Sequence, residues 1–471
     1  MLRTNGILRR MDAQKRINRL YYIMSNQETD LQKFLALHPD VEMFEVILPD
    51  LNGRLRGKWI GRDKIEKVFA GSLKLPLSAL AFDIWGRDVE ATVFDSGDAD
   101  GLAVADIKTL KPTPWLKRPT AQVLLSLNET NGEPCVYDGR HLLKSLMAKF
   151  RALGLTPVAA FEMEFSLFAL ESDEQGVPRH SQSEYRNALQ AGDTYRIESM
   201  QDMGELMHAI HDACEAQDLP VDTLIKEAAP SQYEINLYHQ ADALLCADQA
   251  LMLQRVIKGV AKQFGYRASF MAKPFGDLAG NGMHVHCSLL DTDGNNVFND
   301  GSSEGTELLQ QAIAGCLASM ADSMLLFAPH LNSYRRFQRG SHAPMAANWG
   351  YENRTVAVRV PADKPEATRI EHRVAGADAN PYLVLAAILA GMLCGIEQKL
   401  VPPAAISGNA YDQCPPDLPN YWVLARTRFA ESEFIKNYLG GAFQHTYSAV
   451  KEQEHDEFNR HVTKLEYESY L

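Results

Sequence analysis

Residues 161–168 read FEMEFSLF, and apolar and acidic residues alternate through them: Phe161, Glu162, Met163, Glu164, Phe165. A strand sends alternate side chains to opposite faces. Glu162 and Glu164 therefore share one face, and Phe161, Met163 and Phe165 share the other. Unpaired carboxylates are rarely buried, because taking the charge out of water costs too much. Two of them on a strand with an apolar back predict a partner for the acidic face.

Outward from this strand, long helices alternate with strands. Asp138 is placed to cap a helix over GRHLLKSLMAKFRALG, which ends at Gly154. Further helices are expected over 241–264, ended by Gly265 and followed by the strand RASFMAKP, and over about 304–328. The uncharged run Ala379–Ile396 has Asn380 and Pro381 where a helix cap and first turn belong. Its length is marginal for a bilayer, so it reads as a buried core helix, and no membrane partner is expected. Toward the N-terminus, residues 28–40 look helical. Residues 42–60 read as a hairpin turning at Asp50-Leu51-Asn52-Gly53, and strand-like segments continue to about 115. The Pro- and Lys-rich stretch LKPTPWLKRPT marks the expected domain boundary. The resulting division is a basic tail over 1–27, a small sheet-rich domain over 28–115 and a large mixed domain over 116–471, of α+β or α/β class.

A length of 471 residues is more than one core usually spans, and 46% hydrophobic with 23% charged residues is ordinary for a globular chain. The net charge of −13 speaks against a nucleic-acid partner. Seven scattered cysteines with no CxxC suit a reducing compartment, which makes the cytoplasm the expected location, and they offer no zinc framework. The segment before Met24 is basic with one acid, Asp12, and lacks the apolar core of a secretory signal. Met24 is an alternative start.

The chain has no GxxxxGK[ST], no GxGxxG after a strand and no HExxH. What remains is a set of polar residues in apolar strands. Glu162 and Glu164 come first, then Glu227 and Glu234 in KEAAPSQYEINLY, then His284 and His286 in AGNGMHVHCSL. Arg369, Glu371 and Arg373 follow on one face of RIEHRV, with Arg336 in NSYRRF and Arg354 and Arg359 in NRTVAVRVP. Each has a plain structural alternative, since buried Glu pairs commonly meet Arg. Together they suit hard divalent cations, Mg²⁺ or Mn²⁺ rather than Zn²⁺, because the donors are oxygen-rich with a little imidazole. A bank of arginines beside metals calls for dense negative charge, with phosphate first and a carboxylate next. Spacing alone reaches a metal-dependent phosphoryl-transfer enzyme or ligase.

The segments FEMEFSLF, EAAPSQYE, KPFGDLAGNGMHVHCSL, NSYRRF, NRTVAVRVP and RIEHRVAGADANPYLVLAAILAG stand in the order and spacing of the glutamine synthetase superfamily. The resemblance runs from about residue 30 to the C-terminus and is nearer the γ-glutamylpolyamine (γ-glutamylputrescine) synthetase branch. It implies a small N-terminal β-grasp domain and a large catalytic domain with a curved antiparallel sheet and helices. It also implies a homododecamer of two stacked hexamers. One metal would be held by Glu164, Glu227 and Glu234, and a second by Glu162, His284 and Glu371. Glutamate would meet Gly280, Arg336 and Arg373. ATP would meet His286, Ser288, Arg354, Arg359 and Arg369, with Asp222 a weaker candidate. Asp83 in AFDIWG matches an acid that a neighbouring subunit turns toward the amine. Arg354, Asp83 and Glu371 are thus the expected catalytic residues. The implied reaction joins the γ-carboxylate of glutamate to an amine through γ-glutamyl phosphate, in polyamine catabolism.

The loop RFQRGSHAPMA departs from glutamine synthetase. His342 stands where that family carries a glutamate that helps select ammonium, and Arg339 replaces a usual proline. Ala279 replaces an asparagine, and Ser231 a turn glycine. The lost carboxylate favours putrescine or another alkylamine, with His342 on the amine side. The alternative is glutamine synthetase itself, using ammonia. A non-catalytic scaffold on the same fold would have lost metal ligands, yet all six positions hold Glu or His.

Overall fold

The computed structural model describes residues 29–93, 97–181, 192–302, 304–361 and 364–471. The expected basic tail and Met24 lie outside the described residues.

The hairpin expected over 42–60 forms as Met43–Pro49 and Leu55–Gly61, in register from Met43 opposite Gly61 to Pro49 opposite Leu55. Asp50 sets the turn, because its Oδ1 accepts the N–H groups of Asn52 and Arg54 at 2.9 Å each. Met43–Pro49 then runs parallel to Thr120–Asn128, which also pairs with Asp100–Ala105. This corrects the boundary expected at 115. Lys111–Pro112 pairs with Gln122 and Ala121, so the Pro- and Lys-rich stretch is a connection inside one sheet. Thr120–Asn128 is buried on both faces. Ala121, Val123, Leu125 and Leu127 pack in the N-terminal core, and Leu124 in the larger one.

Among the described residues the large sheet has nine strands. Its path runs Trp349–Tyr351, Val358–Val360, Ile370–His372, Met283–Leu290, Thr156–Ser172, Gln232–Leu237, Val221–Lys226. All these pairings are antiparallel except the first. The central Thr156–Ser172 strand contains FEMEFSLF, and Phe161, Met163 and Phe165 are fully buried on its apolar face. Helices cover that face. Asp138, Asp242, Thr306 and Asn380 cap Gly139–Ala152, Ala243–Gln263, Glu307–Phe327 and Pro381–Gln398 by accepting first-turn N–H bonds.

The uncharged run is the core helix: every residue from Pro381 to Gly395 is buried. Its crossing with Glu307–Phe327 is close enough to need glycine, since a Cβ on Gly315 would stand 2.0 Å from the Gly391 carbonyl oxygen. The seven cysteines are unpaired.

Candidate active site

Register brings the polar residues together. Residues directly opposite in an antiparallel pair project on the same face. Glu164 lies opposite Glu234, Glu162 opposite His284, His286 opposite Glu371, and Glu371 opposite Arg359. Five strands thus contribute to one polar surface.

Glu162 is the hinge of this surface. Its Oε1 is 2.7 Å from His286 Nε2 and its Oε2 is 3.3 Å from His284 Nδ1. Arg369 Nε donates to His286 Nδ1 at 3.2 Å, so Nδ1 accepts and Nε2 is the nitrogen that donates to Glu162. Burial would raise the Glu162 carboxyl, but the bonds from the two histidines outweigh it and hold it well below the usual range. Glu371 is 1% exposed, bonded to Arg359 Nη1 at 2.8 Å and to Arg373 Nη1, with His284 Nδ1 3.8 Å away. Burial again opposes ionisation, yet Arg373, His286 and His284 bring it down to about 2.

The other side of the surface is the reverse. Burial, then the charges of Glu164, Glu162 and Glu227, push Glu234 up to about 9. Burial and Glu164 push Glu227 up to about 7. Glu164 is raised by burial, although the Gly282 N–H bonds its Oε2 at 2.8 Å and Arg336 and Arg373 pull the other way. Mutually repelling buried carboxylates fit a divalent cation, and the donor set of oxygens with one imidazole suits Mg²⁺ or Mn²⁺.

Among the described residues of this surface, two groups have ligand atoms within 4.8 Å of one another: Glu162, His284 and Glu371, and Glu164, Glu234 and His284. The first is the triad expected. The second replaces Glu227 with His284. Glu227 lies just beyond the Val221–Lys226 strand, where the pleat no longer aims it, and its N–H turns back to the Gln232 carbonyl at 3.0 Å. His284 belongs to both groups because its nitrogens face different ways, and as a neutral imidazole it has one lone pair to give to either. Nδ1 faces Glu162 and Glu371. A Cβ on Gly282 would stand 3.3 Å from Nε2, 3.5 Å from Glu164 Oε1 and 3.1 Å from Arg336 Nη2, so a larger residue there would crowd the point where these three converge.

Glu227 and Glu234 tie metal uptake to pH. Their folded values exceed the ordinary 4.5, so the folded chain keeps protons that the unfolded chain has released. That stabilisation is lost as pH rises through about 7 for Glu227 and about 9 for Glu234. A cation must displace the same protons. The gain in melting temperature from a fixed Mn²⁺ concentration is therefore expected to grow between about pH 6 and about pH 9. Scanning fluorimetry showing a gain that shrinks over that range would contradict the assignment.

Arg336 and Arg373 are buried beside these carboxylates, and Arg336 Nη1 donates to the Val374 carbonyl at 2.8 Å. Gly280 packs its Cα against the Ala272 carbonyl, which a Cβ would approach to 2.4 Å. Ser288 is buried on the strand face of His284 and His286. Asp222 is exposed and bonded to the Tyr238 hydroxyl. Arg354 and His342 are exposed on loops at the edge of the surface, outside both groups, and His342 has φ 57°.

Asp83 is a correction. It is fully buried, and its oxygens accept bonds from Trp85 N, Arg87 N, Arg87 Nε and Gln453 Nε2 at 2.8–2.9 Å. This carboxylate fastens its own loop to the Gly441–Arg460 helix and has no face left for an amine.

Sequence reasoning passed over Gln232, Asn281, His239 and Glu352. Gln232 Nε2 donates to Glu164 Oε2 at 3.1 Å and to the Gly280 carbonyl at 2.9 Å. Its position two residues before Glu234 was a readable signal. Glu352 holds Arg359 Nη2 at 3.0 Å, and the His239 ring is 6.0 Å from that of His286.

The geometry defines a class: a metal-binding surface of carboxylates set against arginines that hold anions. Residues 136–470 match the glutamine synthetase catalytic domain. The chain is 36% identical over 447 residues to γ-glutamylputrescine synthetase PuuA of Escherichia coli K12, covering 94% of each. It is 32% identical over 461 residues to glutamate–isopropylamine ligase of a Pseudomonas species, covering 94% of this chain and 97% of the relative. A solved GmaS/ADP complex superposes with a TM-score of 0.82 at 25% identity, over 93% of this chain and 98% of that one. The chain belongs to the glutamine synthetase family and is a ligase. Membership carries the use of ATP and a divalent cation.

Proposed function

We propose that the enzyme joins the γ-carboxylate of glutamate to putrescine or a similar small alkylamine at the expense of ATP. The observation that carries this reading is the loop beside Arg336 and Arg373. Residues 338–345, QRGSHAPM, hold no carboxylate, and their exposed polar side chains are Gln338, Arg339 and His342. Ammonium needs a close anionic cage to be selected and stripped of a proton, whereas an alkylamine can be selected by its hydrocarbon. Relatives named for putrescine and isopropylamine support the same side.

Arg336 and Arg373 hold the carboxylates of glutamate against Gly280. Arg359 and Arg369, with Arg354 from its loop, His286, Ser288 and Asp222, serve the nucleotide and its phosphates. Glu162, Glu371, Glu164, Glu234 and His284, with Glu227 close by, would hold the cations, which offset phosphate charge when bound. Transfer of the γ-phosphoryl group gives γ-glutamyl phosphate and ADP. The amine then attacks the acyl carbon, the C–N bond forms, phosphate leaves and a proton is released. The same reading carries a cytoplasmic homododecamer; light scattering that finds a monomer would oppose the assembly.

The test is ADP release over a panel of amines, with glutamate and Mg²⁺ present. Release that depends on putrescine or another alkylamine, with little response to ammonium, is expected. Release that follows ammonium alone would favour glutamine synthetase activity and sink this reading.

A further inference from the structure

Residues 406–413 carry no role so far, yet they bind both exposed loops of the site. On one side Asn353 Nδ2 donates to the carbonyls of Ile406 at 3.1 Å and Gly408 at 2.8 Å. The Ala410 N–H donates to Thr355 Oγ1 at 2.9 Å. Asn353 and Thr355 flank Arg354. On the other side Arg339 Nη1 donates to the Tyr411 carbonyl at 3.1 Å, and its Nη2 pairs with Asp412. The Tyr411 hydroxyl donates to the Ala343 carbonyl at 2.9 Å. Arg339 and Ala343 bracket His342.

Magnitudes say what this latch is for. Arg339 and Asp412 are 69% and 55% exposed, so their pair adds little to the stability of the fold. His342 sits at φ 57°, a left-handed conformation that is strained for a non-glycine residue, so bonds from outside help the loop to keep this shape. The Tyr411 bond to the Ala343 carbonyl offsets part of that strain. Ser341 Oγ of the same loop donates to the Arg336 carbonyl at 3.0 Å, which ties the clasped loop to the residue proposed to hold glutamate.

We infer that Tyr411 is a positioning residue for amine selection: by clasping the Ala343 carbonyl it fixes the loop that presents His342 to the incoming amine. Arg339, in place of a rigid proline, supplies the second clasp. The inference rests on the amine-ligase reading and adds a residue to it.

Tyr411→Phe keeps the ring and removes the hydroxyl that bonds the Ala343 carbonyl. Its KM for the alkylamine is expected to rise about 5- to 10-fold, while KM for glutamate and for ATP stay within about 2-fold. In a His342→Ala background the same substitution should add nothing, because the group it positions is gone. An unchanged amine KM, three KM values that move together, or full additivity with His342→Ala would each overturn the inference. If the wild-type enzyme uses ammonium alone, the substrate reading fails separately, and the latch must then show the same split on the ammonium KM. Trypsin cleavage after Arg339 reads the latch without turnover. Faster cleavage in Tyr411→Phe supports it, and equal rates overturn it.

Discussion

Glu162→Gln is expected to lower ligase turnover on the order of 10³-fold while leaving the fold intact. The fold survives because the strand is anchored by Phe161, Met163 and Phe165 on its other face, each fully buried. Activity falls because both oxygens of Glu162 are committed, one to His286 and one to His284. Glutamine supplies one acceptor oxygen and an NH₂ that must face a nitrogen donor. It also lacks the charge that a cation ligand shared with His284 and Glu371 has to provide. Steady-state ADP release, with circular dichroism to check the fold, decides it. A folded variant with turnover within about 10-fold of wild type would remove Glu162 from the metal site.

Glu371→Ala is expected to cost about 3–5 kcal/mol of stability besides abolishing turnover. Glu371 is the one carboxylate between Arg359 and Arg373, and it is almost wholly buried. Its removal takes the shared carboxylate from two largely buried guanidiniums, and Arg359 then keeps, among the described residues, its pair with the half-exposed Glu352 at 3.0 Å. Glu371→Gln keeps the shape and one acceptor, and should lose activity with a smaller loss of stability. Urea unfolding in the absence of metal measures both. An alanine variant as stable as wild type would mean that the arginines are solvated and that this cluster is not a buried site.

The face shared by Glu162 and Glu164 was legible because period-two alternation is local to eight residues. Their neighbours across the sheet were not. His284 meets Glu162 only through register with a strand 122 residues away, so the pleat alone could not show that one imidazole belongs to both groups. Asp83 misled for the same reason. A loop acid looks available until Gln453, 370 residues on, is seen to bind it. The boundary at 115 failed because proline and lysine mark a connection between strands as readily as a linker. The caps at Asp138 and Asn380 and the buried run after Pro381 were legible because side-chain capping and uniform apolarity are written within a few turns.

The central claim is that the γ-carboxylate of glutamate is activated by phosphoryl transfer before an amine attacks it. Glutamate carrying heavy oxygen in that carboxylate, turned over with ATP, Mg²⁺ and putrescine, tests it most directly by mass spectrometry of the products. One heavy oxygen in each phosphate released is the predicted result. Phosphate free of the label would contradict the account.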